Sequence, residues 1–314
     1  MDWKGLPRES TDCILCGSGS SRLLSVQDGW PVVRCNRCGL VYLRERPSER
    51  AVEEMYGKAY YEDGDVGYQG YVKTFEKYRR IFQGIFERRN RDLRRHTEGN
   101  RLLEVGCAYG FLLDHLRDRG WNVTGVEVSP LSSAYARDIL GLNVLTGTVE
   151  GVDLPLGSFD VVLLLDVLEH LHRPFDVLKR IGRLLSPGGI LVVQCPWELF
   201  HWEEAAEAIL KGMRPGTIRP DAVPAHLYFF NPSTLDKVLL KGGFRTVARQ
   251  SGNYGEIRRR IDPPAIWTGN PLTASLRFLY FRLGLQRVLY AVARLLHLGN
   301  GLIRYAKPLR ETDR

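Results

Sequence analysis

Between residues 100 and 200 the apolar positions fall into short runs, with helical patterning between them. Arg101 to Val105 reads as a strand, Trp121 to Glu127 as a second and residues 142–146 as a third. The very apolar Val161 to Leu165 is a fourth, and Ile190 to Cys195 a fifth. A helix over 111–119 and another after His170 alternate with them. Such alternation argues for a parallel sheet covered on both faces. Upstream, Phe75, Tyr78, Phe82, Ile85 and Phe86 recur at helical spacing, with Arg and Lys on the other face. This predicts one long helix over 71–97. Downstream, Asn231-Pro-Ser-Thr-Leu235 begins a helix that Ser233 or Thr234 can cap. Phe244 to Ala248 reads as a strand, with Gly301 to Lys307 as its antiparallel partner. Near the N-terminus, Trp30–Arg34 and Leu40–Leu43 read as short strands.

The same pattern locates the candidate chemistry. The first strand runs into Gly106-Cys-Ala-Tyr-Gly110 and then a helix. A Gly-rich turn at that junction lets a ligand approach the backbone closely. Glu127 ends the second strand, 21 residues beyond Gly106. A carboxylate there can accept from both hydroxyls of a ribose. Asp166-Val-Leu-Glu-His170 closes the fourth strand.

Cysteine spacing adds a metal. Cys13-x-x-Cys16 and Cys35-x-x-Cys38 form two pairs with 18 residues between them. Each pair can deliver two thiolates to one tetrahedral Zn²⁺, which defines a small ribbon-like head. The site has no open position, so its expected role is structural. Cys107 and Cys195 stand in apolar surroundings and read as buried core thiols. No signal peptide and no apolar span of membrane length is seen, so a cytoplasmic location is expected.

Charge changes the picture only locally. The formal net charge is +8, yet residues 263–310 hold seven basic residues and no acid. The rest of the chain is near neutral, which argues against a nucleic-acid partner for the whole protein. The basic, apolar segment 272–298 suits an amphipathic helix or helical pair. It can meet an anionic membrane surface or a lipid-linked glycan, or pack on the domain or on a second copy in a homodimer. The arginines at 277, 282 and 287 are spread around a helix, which weakens the membrane reading.

Taken in order, Leu103-Glu104-Val-Gly106-Cys-Ala-Tyr-Gly110, Gly125-Val-Glu127, Ser158-Phe-Asp160-Val-Val, Val167-Leu-Glu169-His170-Leu and Leu185-Ser-Pro-Gly-Gly189 resemble a class I S-adenosylmethionine-dependent methyltransferase. The paired cysteines ending in Cys38-Gly-Leu-Val-Tyr42, the later Tyr60-Tyr61 and His226-Leu-Tyr-Phe-Phe230 look like a subgroup with a zinc-binding head. That subgroup occurs among sugar and polysaccharide methyltransferases, deoxysugar C-methyltransferases included. The resemblance implies a Rossmann-like α/β fold, parallel with an antiparallel terminal hairpin. It also implies S-adenosyl-L-methionine as cofactor beside a structural Zn²⁺. Glu104, Gly106, Ala108 and Gly110 are expected at its methionine end, and Glu127 at its ribose. Val128, Thr148 and Val149 are expected at its adenine, and Asp166 beside the sulfonium. Ala108 replaces a frequent glycine, and Thr148 a frequent Asp.

The implied reaction is O- or C-methylation of a sugar or glycan precursor, nucleotide- or lipid-linked. His226, His170 and Tyr228 are the candidate acceptor-side residues, and His201 a weaker one. An RNA acceptor and a non-catalytic scaffold are the alternatives. The expected organisation is a head over 1–50, a Tyr-rich lid and linking helix over 51–98, and a core over 99–262 with an acceptor loop at 196–230. A basic helical insertion follows over 263–298, then a terminal strand and tail over 299–314.

Overall fold

A computed structural model of the protein describes residues 5–51, 69–197, 223–252 and 301–309. The Tyr56, Tyr60, Tyr61 and Tyr68 stretch, His201, most of the acceptor loop and the insertion at 263–298 lie outside the described residues. So does the side chain of Tyr71.

The head consists of β1 (Arg8–Ser10), β2 (Ser21–Gln27), β3 (Trp30–Cys35), β4 (Val41–Leu43) and β5 (Glu45–Pro47). Strands β2, β3 and β4 form an antiparallel meander, and β1 pairs with β5. In β3 the side chains of Trp30, Val32, Val33 and Cys35 are all buried, as expected of a central strand with cover on both faces. The two short strands expected here are β3 and β4. Strand β2 carries exposed Leu23 and Val26, which gives it no clean alternation.

Two helices, α1 (Gln69–Lys77) and α2 (Arg79–Arg94), stand where one long helix is expected. The break is at Tyr78, whose φ of −114° and ψ of 22° leave the helical range. Phe75 and Phe86 still share a buried face, and Phe75 stacks on Phe111 at a centroid distance of 3.8 Å.

The core alternates β6 (Arg101–Val105), α3 (Phe111–Arg117), β7 (Asn122–Glu127), α4 (Pro130–Asp138), β8 (Val144–Thr146), β9 (Phe159–Leu165), a short 3₁₀ turn (Leu168–His170), α5 (Pro174–Leu184) and β10 (Leu185–Pro196). Then come the two-residue β11 (Tyr228–Phe229), α6 (Pro232–Lys241), β12 (Phe244–Gly252) and β13 (Gly301–Pro308). The main sheet runs β12-β13-β10-β9-β6-β7-β8. From β10 to β8 every pairing is parallel, and β13 and β12 add an antiparallel hairpin at one edge. This is the expected Rossmann-like architecture. Helix α5 shows how it is held: Val177, Leu178, Ile181 and Leu184 recur on one face and are all buried. Each such side chain contributes roughly 1.5–3 kcal/mol by leaving water. The cap of α6 is Asn231 itself, whose side chain accepts from the Thr234 amide at 2.9 Å, while Thr234 accepts in return from the Asn231 amide. Asn outcompetes the expected Ser or Thr because it stands two residues before Ser233 and three before Thr234, at the true N-cap.

Head and core are not separated by a linker's worth of solvent. One buried cluster runs from Trp30, Leu40 and Tyr42 through Tyr228 and Phe230 to Leu164 and Val193. Strand β11 pairs with β4, so a core segment completes the head's sheet as its fourth strand. Lys241 of α6 donates to the carbonyls of Ile14 and Leu15, at 2.6 and 3.1 Å, inside the first cysteine turn.

Candidate functional site

The parallel strands β10, β9, β6 and β7 are neighbours, so their carboxyl ends lie side by side, the usual ligand position in an open α/β sheet. At β6 the chain turns through Gly106 and Gly110 with φ of +76° and +78°. A Cβ on Gly106 would lie 2.6 Å from Val167 Cγ2, and one on Gly110 2.6 Å from Leu142 Cδ1. Only glycine fits either position. Ala108 also has positive φ, at 48°, and its amide donates to Glu127 Oε2 at 2.8 Å. Glu127 Oε1 accepts from the Ser129 amide at 2.9 Å. One carboxylate thus ties the glycine turn of β6 to the start of α4. Burial raises the Glu127 pKa, opposed by those backbone amides.

Around this tie stand the other expected cofactor residues. Val128, one residue beyond Glu127, is exposed, while Val149 is buried. The Thr148 hydroxyl accepts from the Gly151 amide at 3.2 Å, so it closes its own turn. Glu104 is 6% exposed and its Oε2 has no hydrogen-bond partner. Burial pushes its pKa up to about 8 against the pull of Arg89, and Glu127 adds to the rise. An orphaned carboxylate oxygen next to a turn that excludes a side chain at Gly106 and at Gly110 fits the amino end of a methionine moiety. The residues present therefore fit the cofactor that the motifs imply.

Asp166 follows the last residue of β9 with φ of +55°, a strained value for a non-glycine residue. Gln194 of β10 donates to Asp166 Oδ2 at 3.0 Å, and Arg89 of α2 donates to Gln194 Oε1. Neither Arg89 nor Gln194 belongs to a recognisable motif. Their link is made by the fold alone.

On the acceptor side the structure brings His170 and His226 together, with ring centroids 4.6 Å apart at 81°. His170 Nδ1 donates to the Ala225 carbonyl at 2.8 Å. Burial, helped by the charge of His226, brings the His170 pKa down to about 3, so its ring is neutral. The Leu227 amide donates to the Glu169 carbonyl at 2.8 Å, and the Leu43 amide donates to the Leu227 carbonyl at 3.0 Å. His226 therefore sits between two residues pinned to the 3₁₀ turn. Tyr228 lies two residues on and is 1% exposed; its hydroxyl faces the head and accepts from Arg46 Nη1 at 2.8 Å. Burial pushes that phenol up to about 12.

In the head, the four cysteine sulfurs lie within 4.8 Å of one another. Cys13 and Cys38 approach to 3.3 Å, and Cys16 and Cys35 to 3.5 Å. Burial raises the Cys13 thiol well above its ordinary range. At Cys35 burial acts the same way but the amides of Cys38 and Arg37 overcome it, bringing the thiol down to about 7. Four converging soft donors with amides turned toward them fit a closed tetrahedral Zn²⁺ site.

Fold and cleft define a Rossmann-like class I methyltransferase architecture. A model of the methyltransferase domain family matches residues 75–249, and the chain belongs to that family. The Ubiquinone biosynthesis O-methyltransferase of Caulobacter sp. strain K31 is 32% identical over 146 residues, covering 41% of this chain. The enzyme of the same name from Nitrosococcus oceani is 30% identical over 182 residues, 54% of this chain. The chain spans 58% of the Caulobacter protein's length and 74% of the Nitrosococcus protein's. Among solved structures, an S-adenosylmethionine-dependent methyltransferase from Archaeoglobus fulgidus is similar at 18% identity and a TM-score of 0.48, covering 76% of this chain and 99% of that one. The Caulobacter and Nitrosococcus relatives are named for O-methyl transfer in ubiquinone biosynthesis, not for the sugar methylation that the sequence motifs suggest. No helix among the described residues is long and apolar enough to cross a membrane.

Proposed function

We propose that the protein methylates a hydroxyl oxygen of a small acceptor, with S-adenosylmethionine as donor. The observation that carries this reading is the tie of Glu127 to the Ala108 amide, within a turn that admits no side chain at Gly106 or Gly110. Glu127 would hold the ribose, Val128 and Val149 the adenine, and Glu104 the amino end of the methionine moiety. When bound, the cofactor supplies an electrophilic methyl group on a sulfonium. The chain's own task is alignment: the Arg89–Gln194–Asp166 series fixes the cleft floor, and the pinned segment 225–227 fixes His226 at the acceptor side. Holding acceptor and donor in line is worth several kcal/mol of the barrier. The names of the relatives favour oxygen over carbon, and an acceptor of the kind handled in ubiquinone biosynthesis.

A sugar or glycan acceptor is the second reading. It is favoured by the four-cysteine head clamped against the acceptor-side segment, together with the His226-Leu-Tyr-Phe-Phe230 motif. The same head supports a structural Zn²⁺, with no coordination position left for chemistry. Incubation with labelled donor and either phenolic quinone precursors or nucleotide sugars, followed by mass spectrometry of the products, separates the readings. Label in neither pool, or on a carbon, would overturn the proposal.

A further inference from the structure

His170 and His226 stand on two separate segments, and each segment is anchored to the head two residues further on. His172 Nε2 donates to the Pro47 carbonyl at 2.8 Å. The Tyr228 hydroxyl accepts from Arg46 Nη1, also at 2.8 Å. Arg46 and Pro47 are neighbours in β5, so one short strand of the head grips both histidine-bearing segments. Arg46 and Tyr228 are buried, and the His172 side chain is 6% exposed. Arg46 is itself held by its cross-strand partner in β1: Glu9 Oε1 accepts from Arg46 Nε at 2.8 Å. One rigid guanidinium plane carries both bonds, so the place of Glu9 is passed on to Tyr228.

The bonds from the Leu227 amide to the Glu169 carbonyl and from His170 Nδ1 to the Ala225 carbonyl set the register of the two segments. Ring orientation is a finer matter. The Glu169 carboxylate is 1% exposed and has no hydrogen-bond partner among the described residues. One of its oxygens and a ring nitrogen of each histidine lie within 4.8 Å of one another. At that range a displacement of about 1 Å decides whether either ring meets the carboxylate.

We propose that Arg46 is a positioning residue for the acceptor side: with the Pro47 carbonyl, it sets the spacing and tilt of His170 and His226, whose ring centroids stand 4.6 Å apart. It acts through Tyr228. Its consequence for turnover rests on the methyl-transfer reading above, in which a misplacement of about 1 Å costs about 100-fold.

Proton–nitrogen correlation spectra of the histidine rings in the full chain test this, with the signals assigned through His170→Asn and His226→Asn. Arg46→Lys keeps the charge and loses the planar fork; Tyr228→Phe removes the acceptor. Both should move the His170 and His226 signals while the affinity for S-adenosylhomocysteine stays within about twofold of the parent's. Tyr228→Phe, the milder change, decides if Arg46→Lys does not fold. Lys241→Met cuts a different head–core contact, the donation to the Ile14 and Leu15 carbonyls, and should leave the ring signals in place. Signals unmoved in the Arg46 and Tyr228 variants overturn the proposal. Signals moved as far by Lys241→Met also overturn it, because the effect is then head docking alone. Label transfer from saturating S-adenosylmethionine to catechol should fall about 10- to 100-fold in Arg46→Lys. An unchanged rate despite moved rings overturns the positioning role. A parent that labels no catechol counts against the methyl-transfer reading of the acceptor, and the ring signals still decide the clamp.

Discussion

Arg46 donates to the hydroxyl of Tyr228 at 2.8 Å, joining residues 182 positions apart. Both side chains are buried, and the Arg46 Nε also pairs with Glu9 at 2.8 Å. Tyr228→Phe leaves one guanidinium nitrogen in the interface without that acceptor. The expected loss of stability is about 1–3 kcal/mol, with cofactor affinity unchanged. Urea unfolding of parent and variant measures it; superimposable curves would show that the contact contributes nothing.

Glu127→Gln keeps the shape of the tie but removes its charge. One of the two backbone amides loses its acceptor, because the Gln side chain offers a single oxygen and an NH₂ that only donates, and the ribose loses a charged acceptor. Cofactor affinity should fall by about 10- to 100-fold, on the scale of 1.5–3 kcal/mol for a charged hydrogen bond. Isothermal titration with S-adenosylhomocysteine reads this directly, and an unchanged dissociation constant would remove Glu127 from the cofactor site.

Gly106→Ala places a methyl group 2.6 Å from Val167 Cγ2 at a φ of +76°. Left-handed backbone alone costs about 1–2 kcal/mol for a non-glycine residue. Cofactor affinity should drop at least about tenfold while the far-ultraviolet circular dichroism is retained. Tight binding by this variant would mean that the turn has slack the structure does not show.

Asp160 accepts from Arg101 Nη2 at 2.6 Å and from Ser186 at 2.9 Å. The Arg101 contact holds its carboxyl well below the usual carboxylate range, despite burial acting upward. A folded pKa below the unfolded one means stability that is present above the unfolded value and is lost as pH falls toward the folded one. Relative to Asp160→Asn, the parent should keep a constant advantage above about pH 4 and lose it progressively below. Urea midpoints from pH 7 to pH 3 give the comparison; a gap that widens on acidification would reverse the sign.

Stripping the head metal with a mercurial and a chelator should release one zinc per chain and lower the melting temperature. The change should extend beyond the head, because Lys241 and β11 couple it to the core. A calorimetric trace that keeps its original midpoint would argue against the four-cysteine zinc.

Much of this was legible because the signals are local. Strands β6, β7, β9 and β10 announce themselves as apolar runs ending in Gly106, Glu127, Asp166 or a turn. The cysteine pairs need only spacing. What could not be read depends on contacts distant in sequence. Strand β2, with exposed Leu23 and Val26, becomes a strand through pairing with β3 rather than through pattern. The Gln194–Asp166 bond and the approach of Arg89 require three elements to be placed first. Glu169 sits in a recognised motif, yet its orphaned oxygens appear only when Ala225 and Leu227 are brought against it. Breaking one helix at Tyr78 changes no residue type that periodicity can see.

The pairing of β11 with β4 also orders events in time. During synthesis the cysteine turns and strands β2 to β4 emerge first, but their sheet lacks its fourth strand until Phe229 has been made. One edge of β4 therefore waits through most of the core's translation. Its buried Val41, Tyr42 and Leu43 are exposed to wrong partners meanwhile. Closing that edge is a late, long-range step, so an early metal-bound head can form, yet its final shape is reached only together with the cleft it abuts.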